Sequence, residues 1–343
     1  MSLLPTAGVP GLILFAVVGT VVVWAGSSWL ERASEHIAVY YGLPPVVQGA
    51  VVAAIGSSFP ELSSVVVSTM LHDDFELGVA AIVGSAVFNV LIIPALSGLS
   101  GDGLDANRDL VYKEAQFYML AVAVLFLSFS FAVIYNPVES TAALTGDLTR
   151  GLALIPIGLY GLYIFTQYQD SADFDADEPP SSISILEEWG RLLAGLAVIL
   201  VGVELLVHSA VSLGDQLGTP SFIWGLTVVA AGTSLPDTLV SVRAAKSGKD
   251  STSMANVLGS NIFDLLIAVP AGVLIAGSTT VNFSRAAPMM GFLILATVVL
   301  FTMMRTGMEL SKAESAVLFG LYVLFVLWLV LEELGVTSLV QGG

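Results

Sequence analysis

The sequence predicts an all-α polytopic membrane protein of ten transmembrane helices, arranged as two inverted-topology repeats of five with helices 2 and 7 broken at an ion site. Three observations carry that reading. The 343-residue chain is 56% hydrophobic and 11% charged, with a mean hydropathy of +0.89, whereas soluble domains carry roughly 25% charged residues. Apolar runs of about 20 residues, the length that crosses a bilayer, recur ten times, centred near residues 20, 57, 88, 123, 159, 200, 233, 264, 294 and 322. A polar motif inside the second run, Gly56-Ser57-Ser58-Phe59-Pro60-Glu61-Leu62, is written again inside the seventh as Gly232-Thr233-Ser234-Leu235-Pro236-Asp237-Thr238, at a constant offset of 176.

Taken in order, the first run, residues 9–30, has no Lys or Arg before it and is too long for a signal-peptide core, so it reads as a retained span. The second, 46–67, carries hydroxyls, a helix-breaking proline and a carboxylate at membrane depth, where an acid is costly and marks a functional site. The third contains Val83-Gly84-Ser85-Ala86-Val87-Phe88-Asn89, and the eighth answers it with Leu258-Gly259-Ser260-Asn261-Ile262-Phe263-Asp264 at an offset of 175. Gly42, Pro44 and Gly49, ahead of the second run's motif, are matched by Gly218, Pro220 and Gly225 at 176.

Between the fifth and sixth runs lies an acidic connection, residues 169–187, with Asp170, Asp173, Asp175, Asp177, Glu178, Pro179 and Pro180. Its Asp173-Asp175-Asp177 spacing is that of a calcium loop, but Glu178 stands where such a loop needs Gly and Ser184 where it needs Glu, so it reads as a solvated linker. The chain therefore divides into a first repeat, 1–168, the linker, 169–187, and a second repeat, 188–343. Five is odd, so the second repeat enters the membrane from the opposite side. Inverted repeats with interrupted helices at matched positions are the sign of a secondary transporter with a midplane site.

Charge orients the molecule. Arg32, Arg108, Lys113, Arg191, Arg243, Lys246, Lys249, Arg305 and Lys312 fall in one set of alternate loops, against Arg150 and Arg285 in the other. Cytoplasmic loops carry the basic excess, which predicts both termini outside and the central linker in the cytoplasm. The absence of cysteine excludes disulfides and thiolate chemistry, and the net charge of −17 argues against a nucleic-acid partner. The lipid bilayer and cations are the partners expected.

The repeated blocks fit cation binding. Pro60 and Pro236 have no amide hydrogen and clash with the carbonyl four residues back, which should free oxygens around Gly56-Ser57 and Gly232-Thr233. Hard cations such as Ca2+ take about 6 to 8 oxygens from carboxylates, carbonyls and amides. Ser85 and Asn89, like Ser260 and Asp264, are four residues apart and share a helical face. Glu61, Asp237 and Asp264 together carry one negative charge more than a single Ca2+ balances. Serines at helix crossings also serve as packing devices, but their recurrence at matched positions favours a ligand role. Glu204 and His208, near the sixth run, have no counterparts and read as facing an aqueous edge.

At this point the chain resembles the cation/calcium antiporter superfamily, the sodium/calcium exchangers and their relatives, with signature regions over 49–96 and 225–270. The resemblance implies a calcium site with Glu61 and Asp237 as its acids and backbone carbonyls at Ser57 and Thr233, and Na+ or K+ sites drawing on Ser58, Ser85, Asn89, Ser234, Ser260 and Asp264. Ile82-Val83-Gly84-Ser85-Ala86-Val87-Phe88-Asn89 and Gly259-Ser260-Asn261-Ile262-Phe263-Asp264 look most like the potassium-dependent branch, in which the aspartate matching Asp264 is associated with K+. Ala81 stands where the second half has Asn256, a departure from the more symmetric pattern of simpler microbial members. The resemblance implies a plasma-membrane antiporter exchanging Na+ for Ca2+, with K+ co-transport as an added feature; an H+/Ca2+ antiporter of the same fold is the alternative. It implies neither catalysis nor a cofactor, and neither acid carries the Gly-x-Gly-Asp motif of an intramembrane aspartyl protease.

Overall fold

A computed structural model describes residues 7–43, 52, 54–101, 103–106, 108, 110–138, 144–169, 184–248 and 250–337. Pro44, Gly49, Lys249 and residues 170–183 of the acidic connection lie outside the described residues. Among the described residues nine helices are long and apolar enough to cross a membrane, and a shorter apolar helix, Phe59–Leu71, accounts for the second span. Helices are the natural outcome here, since lipid offers no partner for backbone amides and carbonyls.

The first span is α1 (Val9–Tyr40). The second is divided into α2 (Ala54–Ser57) and α3 (Phe59–Leu71), with Ser58 between them. The break falls there because Pro60 opens α3, where its missing N–H costs nothing. The third span, α4 (Phe75–Ser100), is capped by Asp74, whose side chain accepts from the Leu77 amide at 2.9 Å. It is apolar all round because it runs through the middle of the molecule: 94% of its most apolar stretch is buried, against 22% for the first and tenth spans.

The fourth and fifth spans are α5 (Ala115–Tyr135) and α6 (Arg150–Gln169), and the sixth is α7 (Ile185–Leu217). The seventh runs through α8 (Ser221–Trp224), a π-turn at Gly225–Val229 and α9 (Ala230–Lys246). The interruption expected in this span takes the form of a change of winding one turn before the motif, with Pro236 carried inside a continuous helix. Val52, the counterpart of Val228 at the offset of 176, has the same π winding. The eighth span is α10 (Asp250–Phe263), a second π-turn at Asp264–Ala268 and α11 (Val269–Ala276). The ninth and tenth are α12 (Phe283–Arg305) and α13 (Lys312–Glu333), the last opened by a capping box between Ser311 and Glu314.

Two short antiparallel sheets tie the halves together. β1 (Leu104–Asp105), after the third span, pairs with β4 (Glu309–Leu310), after the ninth. β2 (Thr145–Thr149), after the fourth span, pairs with β3 (Ser278–Asn282), after the eighth. Each sheet thus joins a third-to-fourth type of connection from one repeat to a fourth-to-fifth type from the other, on opposite faces. Arg150 and Arg285, set apart by the loop count, follow β2 and β3 on one face, while Arg108, Lys113, Arg305 and Lys312 flank β1 and β4 on the other.

A glycine seam joins the first and sixth spans. A Cβ at Gly19 would come within 2.8 Å of the Gly202 carbonyl, and one at Gly195 within 3.0 Å of the Gly26 carbonyl. Gly19 and Gly26 recur as Gly195 and Gly202 at the same offset of 176, so the seam pairs each glycine with the other's counterpart. Small residues permit this backbone approach in a membrane. A second close crossing brings the third span onto the seventh, where a Cβ at Gly84 would stand 2.2 Å from the Leu226 carbonyl and one at Gly225 2.6 Å from that of Leu77. The π-turn therefore packs its backbone directly on the helix carrying Ser85 and Asn89.

Candidate cation site

Where the second, third, seventh and eighth spans cross, Ser57, Ser58, Glu61, Ser85, Asn89, Thr233, Ser234, Asp237, Ser260 and Asp264 are all buried, none more than 4% exposed. Ser57 ends α2 and Glu61 stands in the first turn of α3. Thr233, Ser234 and Asp237 lie on α9, and Asp264 opens the second π-turn.

The contacts run between the halves. Ser85 Oγ of the third span lies 2.6 Å from Ser234 Oγ of the seventh, and each hydroxyl stands 3.4 Å from Glu61 Oε1. The related pair joins Ser58 to the eighth span, its Oγ donating to the Ser260 carbonyl at 3.2 Å. Asn89 Nδ2 donates to Asn261 Oδ1 at 2.9 Å. Glu61, Asp237 and Asp264 lie within electrostatic reach of one another.

Several oxygens at this crossing are buried without a hydrogen-bond partner among the described residues: Glu61 Oε2, Asp237 Oδ1, Asn89 Oδ1 and both Asp264 oxygens. A buried acceptor left unpaired costs about 1–3 kcal/mol, more when charged, so their gathering in one place fits a charged ligand. Among the described residues no group of three His, Cys, Asp or Glu side chains is arranged to hold a metal ion on its own. A cation bound here must complete its shell with hydroxyl, amide and backbone oxygens, the set the two motifs supply.

Three groups at the site have no place in the expected ligand set. Asn261 lies within a quoted motif, but it meets Asn89 and also Tyr118 of the fourth span, which no local signal marks. Glu31 and Ser34 of α1 border Gly56, with Ser34 Oγ 3.6 Å from where its Cβ would be, and Glu31 lies in the field of Asp237. The expectation for Glu204 and His208 is corrected: both are buried, and Glu204 Oε2 lies 3.0 Å from His72 Nε2 at the end of α3. Burial is possible because the carboxylate meets an imidazole, a partner 132 residues away that the sequence pattern does not reveal.

Acids, hydroxyls and an amide enclosed between helices of two opposed halves define a class, the helical cation transporters with a binding site deep in the membrane. The comparisons narrow it. The family described as sodium/calcium exchanger protein matches residues 11–169 and 188–331. An uncharacterized membrane protein of Methanocaldococcus jannaschii is 27% identical over 90% of this chain and 95% of its own length. The sodium/calcium exchanger MaX1 of Methanosarcina acetivorans is 24% identical over 91% and 96%. Among solved structures, the sodium-calcium exchanger NCX_Mj aligns with a TM-score of 0.60 at 24% identity, covering 92% of this chain and 98% of its own. An H+/Ca2+ exchanger, CAX, aligns with a TM-score of 0.70 at 14% identity over 92% and 82%. The chain belongs to the sodium/calcium exchanger family and is a cation/calcium antiporter, not an enzyme.

Proposed function

We propose that this antiporter exchanges Na+ for Ca2+ by alternating access, with Glu61 and Asp237 as the acids both ions use in turn. The observation that carries this reading is the buried cluster of Glu61, Ser85 and Ser234, built from both halves, beside carboxylate oxygens that have no partner among the described residues. Coupling follows because one pair of acids cannot neutralise both ion sets at once. Ca2+ draws on Glu61, Asp237 and the carbonyls of Ser57 and Thr233, while Ser58, Ser85, Asn89, Ser234, Ser260 and Asp264 serve monovalent ions. Proton exchange needs only acids, so the recurrent hydroxyls support Na+ over H+ as the driving ion. The third acid, Asp264, carries the charge that Ca2+ leaves unbalanced and supports K+ as a co-transported ion.

The protein sits in the plasma membrane with both termini outside and residues 169–187 in the cytoplasm, between repeats 1–168 and 188–343. The basic residues flanking β1 and β4 support that orientation. The test is 45Ca2+ uptake into proteoliposomes loaded with Na+. Glu61→Gln and Asp237→Asn, each nearly isosteric, are expected to reduce uptake at least about 100-fold, in keeping with the roughly 3–5 kcal/mol at stake when a buried charge pair loses a partner. Normal uptake in both variants would sink the assignment. Uptake driven by a pH gradient in Na+-free buffer would replace Na+ with H+.

A further inference from the structure

A line of polar groups leads to the site from the ninth span. Thr297 Oγ1 donates to the Leu293 carbonyl at 2.7 Å, which commits its only hydrogen. The Tyr118 hydroxyl lies beside Thr297; with the Thr297 hydrogen spent on Leu293, any hydrogen bond between the two hydroxyls is donated by Tyr118, which leaves lone pairs for its other neighbour. That neighbour is Asn261 Nδ2, 3.5 Å away. With its nitrogen turned to Tyr118, Asn261 presents Oδ1 to Asn89, whose Nδ2 donates to it at 2.9 Å. Asn89 Oδ1 is then the atom left over, buried and without a partner among the described residues. Tyr118, Asn261 and Asn89 are all fully buried.

An amide carries an acceptor at one end and two donors at the other, and a flip exchanges them. A flipped Asn89 would aim N–H groups at the cation and repel it. We propose that Asn261, its polarity set through Tyr118 and Thr297, is a positioning residue that holds the Asn89 amide with its oxygen toward a monovalent cation. The inference rests on the exchange reading and adds to it the group that makes one limb of the site an oxygen donor.

The repeat explains why the device exists in one half only. Asn89 corresponds to Asp264 and Asn261 to Ala86, at the offset of 175. A carboxylate has two acceptors and needs no orientation, and Ala86 offers no hydrogen bond. The two departures from symmetry therefore complement each other: the neutral limb has an amide to steer it, and the charged limb has none.

The test compares wild type with Asn261→Ala, Tyr118→Phe and Thr297→Val in proteoliposomes, reading the half-saturating Na+ and Ca2+ concentrations separately. Na+-induced thermal stabilisation of the purified proteins gives a second reading that needs no transport. Asn261→Ala is expected to raise half-saturating Na+ about tenfold, the size of one lost buried hydrogen bond, with Ca2+ changed less than about twofold. Thr297→Val, which keeps the side chain's shape, frees the Tyr118 hydrogen to turn toward Asn261 and should shift Na+ in the same direction. It carries the test if Asn261→Ala does not fold. Equal shifts for Na+ and Ca2+, or none in Thr297→Val and Asn261→Ala, overturn the inference while leaving exchange intact. A wild type stabilised by Na+ but unable to exchange it for Ca2+ overturns the exchange reading alone; a wild type indifferent to Na+ in both assays overturns both.

Discussion

Ser85 and Ser234 come from opposite halves of the chain to stand 2.6 Å apart, and Glu61 is the acid both approach. At the scale of single residues, much of this was legible in advance. An acid within an apolar run has few explanations, and its return 176 residues later leaves fewer. What the pattern could not convey was pairing across the molecule. Asn261 stands in a motif as one more polar residue, yet its partners are Asn89 of the third span and Tyr118 of the fourth, the latter in an ordinary apolar run. His72 and Glu204 likewise reveal their contact only once folded. Asp264 has both oxygens free of partners among the described residues and repeats a position that is neutral in the first half. Asp264→Asn removes one negative charge without changing the side chain's size, and it should abolish K+ stimulation of Na+-driven 45Ca2+ uptake while uptake without K+ persists. A wild type that K+ does not stimulate would remove K+ from the transport cycle.

Elements were legible as spans and less so in their winding. Ten apolar runs fall where the helices lie, and Pro60 marks the division of the second span because proline is well placed in a first helical turn. The π-turns at Gly225–Val229 and Asp264–Ala268 were not foreseen. A π-turn depends on an altered backbone register that neighbouring helices stabilise, and a single sequence carries little trace of it. The close crossing at Gly84 offers a direct check. A methyl group there would meet the Leu226 backbone oxygen at 2.2 Å, and backbone cannot move aside as a flexible side chain can, whereas nothing lies within 4 Å of a methyl at Gly158. Gly84→Ala should therefore cost about 1–3 kcal/mol and lower the melting temperature in detergent, while Gly158→Ala should match or exceed wild type. Equal melting of the two variants would contradict the crossing.

For the whole molecule, the halves hold each other by the glycine seam, by the serine pairs of the site and by the two sheets. Thr145 to Thr149 pair with Asn282 to Ser278 across the halves, and Leu104 and Asp105 with Leu310 and Glu309. None of these contacts involves residues 170–183. Two polypeptides, 1–176 and 177–343, produced together in one cell should thus assemble and exchange Na+ for Ca2+, which co-purification through a tag on one of them and 45Ca2+ uptake would measure. Failure of the pair to co-purify would mean that the covalent connection is needed to bring the halves together. The seam has one more consequence. It matches Gly19 with Gly202 and Gly26 with Gly195, so each side of the interface is a copy of the other turned over. A polypeptide of half this length could build the same enclosure only as an antiparallel dimer, with one copy threaded upward and its twin downward through a single bilayer. Joining the copies end to end makes the two orientations a matter of parity: an odd number of crossings delivers the second copy upside down.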